Sequence, residues 1–227
     1  MMPLRDINPT NRFPLITLII IGLNIAAYVL ELSFQATGQL NLLVASYAVI
    51  PYELTQGVDL PPPSLQPAFL TVFTAMFMHG GFLHIFGNML YLWIFGNNIE
   101  DNMGPVRFLV FYLACGVAAT YAQVAVDPIS RIPNIGASGA IAGVLGAYLV
   151  MHPRAQVETL LFLGYLIRVV RLPAVLVLGF WIVIQLLQGV LSLGMTQTGG
   201  VAWFAHIGGF IAGLVLVNIF RQRQRWS

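Results

Sequence analysis

The 227-residue chain has no lysine, a single cysteine and only eight acidic residues, and each shortage excludes something. With charged residues at 8% and hydrophobic ones at 58%, there is more apolar surface than a soluble domain can bury, so the chain is an integral membrane protein. The lone thiol, Cys115, excludes an intramolecular disulfide and reads as filler within an apolar span. A zinc protease needs H-E-x-x-H; His79 and His84 stand five apart with no adjacent glutamate, so no metal site is indicated. An aspartic mechanism needs two carboxylates buried close together. The spans supply none, because Glu31, the nearest acid, closes the first span on its outer side. Nothing asks for a cofactor. The paired Gly/Pro-broken helices and charged midplane site of a transporter are also missing. Arg221, Arg223 and Arg225 directly after the last apolar run read as a lipid anchor, and nucleic acid is not an expected partner.

What is present are apolar runs near the length that crosses a bilayer, at about 15–33, 82–98, 107–125, 137–152, 173–193 and 203–220. An all-α polytopic bundle of six helices in a single domain over residues 1–227 follows. The fourth run is short and rich in Gly and Ala, which suits a helix enclosed by neighbours. Nine of the ten arginines then fall on one side: Arg5, Arg12, Arg107, Arg154, Arg168, Arg171 and the three at the end. The other side has Arg131 with Glu53, Asp59 and Asp127. Cytoplasmic loops collect positive charge, so both termini are expected in the cytoplasm. The first run reads as an uncleaved anchor, since Glu31-Leu32-Ser33-Phe34 offers no small-x-small cleavage pattern.

The longest connection, the external loop 34–81, holds Pro51, Pro61-Pro62-Pro63 and Pro67, which predict extended chain. Ala68 to Met78 is apolar but too short to cross, so an interfacial or re-entrant element is expected there.

Polar side chains inside a bilayer are costly and tend to mark function. The second, fourth and sixth spans all run inward from the outer side, so their first turns share one depth. There stand His84 and Asn88, Ser138, and His206. A serine hydroxyl is a weak nucleophile until a neighbour takes its proton, and the His206 imidazole is the candidate base. With no carboxylate at that depth, a dyad is favoured over a triad. His84 and Asn88, four apart, share one helical face, and both can donate hydrogen bonds to an oxyanion. Gly136 permits close approach just ahead of Ser138, whose helix offers free N–H groups. Gly139-x-x-x-Gly143 and Gly209-x-x-x-Gly213 would bring the fourth and sixth helices together. Each residue alone also fits a plainer role: Ser138 as packing, Asn88 as an interhelical hydrogen bond, His79 as an interfacial one.

Together these residues resemble the rhomboid family of intramembrane serine proteases, from the first span to the sixth. The resemblance is carried by His84-x-x-x-Asn88 within residues 77–89, by Gly136-Ala137-Ser138-Gly139, and by Ala205-His206 through Gly213. It implies that Ser138 is the nucleophile and His206 the general base, with His84, Asn88 and the Ser138 N–H as oxyanion hole. The implied reaction is cleavage of single-span membrane proteins near the outer leaflet through an acyl-enzyme, in a bacterial inner (cytoplasmic) membrane. Glu100 falls where the family often has a structural glutamate at the cytoplasmic edge. Two departures stand out. No Trp-Arg pair occurs in loop 34–81, and Ala142 occupies the position where some members stack a tyrosine on the histidine, so the sequence names nothing that orients His206. Phe180 and Trp181 on the fifth span, part of the family's lateral gate, read as lipid-facing. The alternative is a catalytically silent relative that binds or escorts membrane helices.

Overall fold

A backbone that crosses lipid must satisfy its own polar groups, and the apolar runs do so as helices. In the computed structural model, residues 1–163, 166–193 and 200–222 are described. Arg223 and Arg225 of the expected anchor lie outside the described residues. In chain order the elements are β1 (Met2–Asp6), α1 (Leu15–Ala36), α2 (Leu40–Tyr47), α3 (Pro51–Gln56), α4 (Thr71–Thr74), α5 (Phe82–Met103), α6 (Pro105–Val126), α7 (Ser138–Met151), β2 (Gln156–Leu163), β3 (Leu166–Pro173), α8 (Ala174–Ser192) and α9 (Trp203–Phe220). Helices α1, α6, α8 and α9 are each long and apolar enough to cross a membrane. The segment Ala68–Phe77, in which 3-10 turns flank α4, meets α5 at 83° as a broken pair, in keeping with a re-entrant element.

The fold is mostly helical, but a three-stranded antiparallel sheet in the order β1-β2-β3 joins it. An all-α reading omits this sheet because it draws one strand from the amino-terminal tail and two from a loop far along the chain. Met2 pairs with Leu160 and Asp6 with Val157, while Gln156 pairs with Pro173. Val157 and Thr159 are buried, and between them Glu158 takes Arg5 and Arg171 at 2.6 and 3.1 Å.

Two boundaries also differ from expectation. Helices α5 and α6 run to Met103 and from Pro105, meeting at Gly104, whose φ of +77° makes the turn. The polar residues at the end of α5 do not stop it because the protein satisfies them. Glu100 accepts hydrogen bonds from Ile16 N, Thr17 N and Thr17 Oγ1 at 2.9, 2.8 and 2.8 Å, covering the open start of α1. Asp6 accepts from Asn98 Nδ2 and from Tyr148 Oη, both at 2.7 Å, and burial raises its carboxyl above the usual range. Loop 34–81 is likewise less extended than its prolines suggest. Pro51 is the first residue of α3, a position where its missing N–H costs nothing, and Gly57 closes that helix in a left-handed conformation.

Helix α7 sits at the centre, with every residue from Gly139 to Tyr148 buried, as its small residues predict. A methyl group on Gly209 of α9 would strike the carbonyl oxygen of Gly139, and one on Gly213 would strike that of Gly143. The two backbones therefore touch along the spacing read from the sequence. At the end of the bundle away from Ser138, Arg12 bonds Gln222, and Gln222 N reaches Asn102 O at 3.1 Å. The sheet, the start of α1 and the end of α9 thus share one end.

Candidate active site

Helices α5, α7 and α9 begin at the other end, and their first turns meet. His206 Nε2 lies 2.7 Å from Ser138 Oγ. On the far side of the ring, His206 Nδ1 lies 2.6 Å from Gln185 Oε1 of α8. A carboxamide oxygen only accepts, so this contact puts the ring proton on Nδ1 and leaves the Nε2 lone pair facing the serine hydroxyl. That is the tautomer a general base requires.

Ser138 is held from both directions along the chain. Ahead of it, Gly136 N donates to Ala75 O at 2.8 Å, and Val49 and Asn134 exchange backbone bonds at 3.1 and 2.8 Å. Gly136 has a φ of +130°, and a Cβ there would stand 3.0 Å from His84 Cε1 and Nε2. Only glycine serves both demands. Behind it, the close seam of α7 and α9 fixes the distance to His206. The start of α9 is covered in turn by Gln123 of α6, whose Oε1 accepts from Phe204 N and Ala205 N at 3.1 and 3.3 Å.

The oxyanion candidates face the same space. Gly80 N donates to His84 Nδ1 at 3.2 Å, so the His84 proton sits on Nε2, the atom directed at Gly136. Asn88 is only 7% exposed, and its Nδ2 has no partner among the described residues. A buried amide donor left open is costly in a resting protein and useful where negative charge develops. Ser138 opens α7, so its N–H has no acceptor within the helix. A cavity of about 690 Å³ joins these groups, running from Ser138, His206, His84 and Asn88 past Tyr91 to Leu145. It is roomy enough for several waters, and Ser138, His206, His84 and Asn88 supply polar groups to its lining.

Four features were not foreseen. Gln185 meets His206 Nδ1, and Trp181 and Trp203 flank the imidazole with ring centroids 5.8 and 6.2 Å away. Trp181 therefore packs inside the site rather than facing lipid, while Phe180, 51% exposed, faces outward as expected. Glu31 is buried instead of closing its span at the surface, and both its oxygens accept from His79 N, at 3.0 and 3.2 Å. His79 is buried too: its ring stands edge-on to His84 at 5.1 Å, and among the described residues only its backbone makes the bond expected of it at an interface. A polar residue within an apolar helix was signal enough for Gln185. For Glu31 the signal was weaker, since it lies near a helix end.

Comparison with known proteins gives the family. A family model described as a Rhomboid domain matches residues 66–223. RHOMBOID-like protein 1 of Arabidopsis thaliana is 31% identical over 156 residues, covering 69% of this chain and 36% of that protein. The mitochondrial Rhomboid protein 1 of Saccharomyces cerevisiae is 28% identical over 166 residues, 69% of this chain and 44% of its own length. Rhomboid protease GluP of Bacillus subtilis is 42% identical over 76 residues, 34% of this chain and 14% of that protein. The chain spans less than half the length of these relatives. The region matched, 66–223, runs from the turn before α4 to the end of α9 and contains all three helix starts that meet at Ser138; the chain belongs to the rhomboid family of polytopic helical membrane proteins.

Proposed function

We propose that this protein is an intramembrane serine endopeptidase that cleaves transmembrane segments of single-span membrane proteins near the outer leaflet. The observation that carries this reading is the Ser138 Oγ to His206 Nε2 contact of 2.7 Å, with the opposite ring nitrogen occupied so that Nε2 is free to accept. Ser138 attacks the scissile carbonyl as its proton passes to His206. The oxyanion is met by Asn88 Nδ2, His84 Nε2 and the Ser138 N–H. The imidazolium then protonates the leaving amine, and water from the cavity releases the acyl-enzyme.

In this reading α1, α5, α6, α7, α8 and α9 are the six membrane-crossing helices. The arginine-bearing end, with Arg5, Arg12, Arg107, Arg171 and Arg221, faces the cytoplasm of a bacterial inner membrane. The test is incubation of purified protein in detergent with a labelled single-span peptide. Wild type should cleave it, while Ser138→Ala and His206→Ala should not. Cleavage by both variants would refute the dyad. A wild type that cleaves no substrate in a panel, and is not labelled by a fluorophosphonate, would favour a silent protein that escorts membrane helices.

A further inference from the structure

Gln185 lies within α8 among exposed apolar neighbours, Val183, Leu186 and Leu187, yet is itself only 6% exposed. A carboxamide in such a helix is costly unless bonded, and its oxygen is spent on His206 Nδ1 at 2.6 Å. We propose that Gln185 is a positioning residue for His206: its carboxamide oxygen selects the ring tautomer and aims Nε2 at Ser138, the task a carboxylate performs in a triad. The proposal rests on the reading of His206 as the general base.

The proton balance is consistent with a neutral partner. The hydroxyl proton of Ser138 moves to Nε2 as the Oγ–C bond forms, and it leaves Nε2 for the nitrogen of the departing amine. Throughout, the Nδ1 proton stays in its bond to Gln185 Oε1. Trp181 and Trp203 limit tilting of the ring but offer no acceptor, so they cannot select the tautomer. Ala142 adds nothing, having only a methyl group.

The carrier of Gln185 matters as much as its chemistry. Helix α8 closes on α9 at Gly189, one turn further on, where a Cβ would stand 3.2 Å from Ile207 Cδ1. The 2.6 Å contact exists only while α8 lies against α9 there. Separation of the two helices would remove the acceptor and disarm the base.

The test uses the full chain in detergent with nitrogen-15-labelled histidine, comparing wild type with Gln185→Met, which keeps length and bulk, and Gln185→Glu, which restores an acceptor. The wild-type His206 ring should show a protonated Nδ1 and an unprotonated Nε2, and Gln185→Met should lose that single state. Gln185→Met should also lower kcat by roughly 10- to 100-fold with KM and melting temperature little changed. Gln185→Glu should recover kcat and move the acid limb of the rate profile to higher pH, because a carboxylate holds the imidazolium more strongly. The proposal is overturned if Gln185→Met keeps the wild-type tautomer and kcat, or if Gln185→Glu restores neither rate nor tautomer. If wild type itself cleaves nothing, the protease reading fails, and the nitrogen spectra still decide the role of Gln185.

Discussion

Replacing Gly209 with alanine separates helix packing from chemistry. A Cβ at Gly209 collides with the Gly139 carbonyl oxygen; the backbone fixes the position of the one and includes the other, so no side-chain rotation relieves the clash. Helix α9 must retreat from α7 by about an ångström or more to restore an ordinary contact distance. Gly139 adjoins Ser138, and Gly209 lies three residues beyond His206 on the same helix, so this retreat falls on the Oγ to Nε2 contact. Stretched from 2.7 Å by about an ångström, that contact is no longer a hydrogen bond. The rate should fall by much of the roughly 100- to 10,000-fold that general-base catalysis supplies. Stability should fall less. Overpacking costs about 1–3 kcal/mol, and alanine regains about 1 kcal/mol over glycine in helix propensity. The control is Gly22→Ala on α1, where nothing among the described residues lies within 4 Å of the added carbon and the propensity gain should stand alone. Peptide cleavage, fluorophosphonate labelling of Ser138 and thermal unfolding in one detergent give the comparison. A Gly209→Ala protein that is labelled and cleaves like wild type would refute the claim that this seam sets the dyad distance.

Other expectations follow from single contacts. Asn88→Ala removes one oxyanion donor and should lower kcat about 100- to 1,000-fold with KM little moved, read from steady-state cleavage kinetics. Glu100→Ala strips the acceptor from Ile16 N, Thr17 N and Thr17 Oγ1, and should cost about 1–3 kcal/mol in stability, seen as a lower melting temperature. Asp6 holds its proton more tightly folded than unfolded because burial disfavours its charge, so its contribution to stability is largest at low pH. That contribution declines as pH rises from the usual carboxylate range through the raised folded value. Asp6→Asn should flatten this part of the melting temperature against pH, and an unchanged slope would exclude Asp6 as its source.

The apolar helices and the candidate site were legible for one reason: both are written in residue types that a bilayer makes expensive or obligatory. Ser138, His206, His84 and Asn88 stand out because apolar helices seldom spend positions on them, and the small-residue spacings of α7 and α9 state which helices touch. The parts that escaped depend on pairing between distant segments. Nothing in Met2–Asp6 alone says that it will bond to Gln156–Leu163. The end of α5 looks like a stop because Asn98 and Glu100 are polar, yet Asp6 and the start of α1 supply their partners. Pro51 reads as a breaker until its position as the first residue of a helix is known. Trp181 reads as lipid-facing, and Gln185 only as a polar residue out of place, until the rotation of α8 brings both against His206.

The hairpin between α7 and α8 also makes α8 a lever. Ala174 N bonds to Ala155 O at 2.8 Å and Val175 N to Pro153 O at 3.0 Å, so the first turn of α8 is pinned to the chain leaving α7 and acts as the fulcrum. Gln185 lies eleven residues along, about 16 Å from that fulcrum, where a swing of about 10° displaces it by about 3 Å. Such an arm would move least beside the sheet and most beside Ser138, so a small hinge motion at one end of the bundle would be amplified into engagement or release at the other.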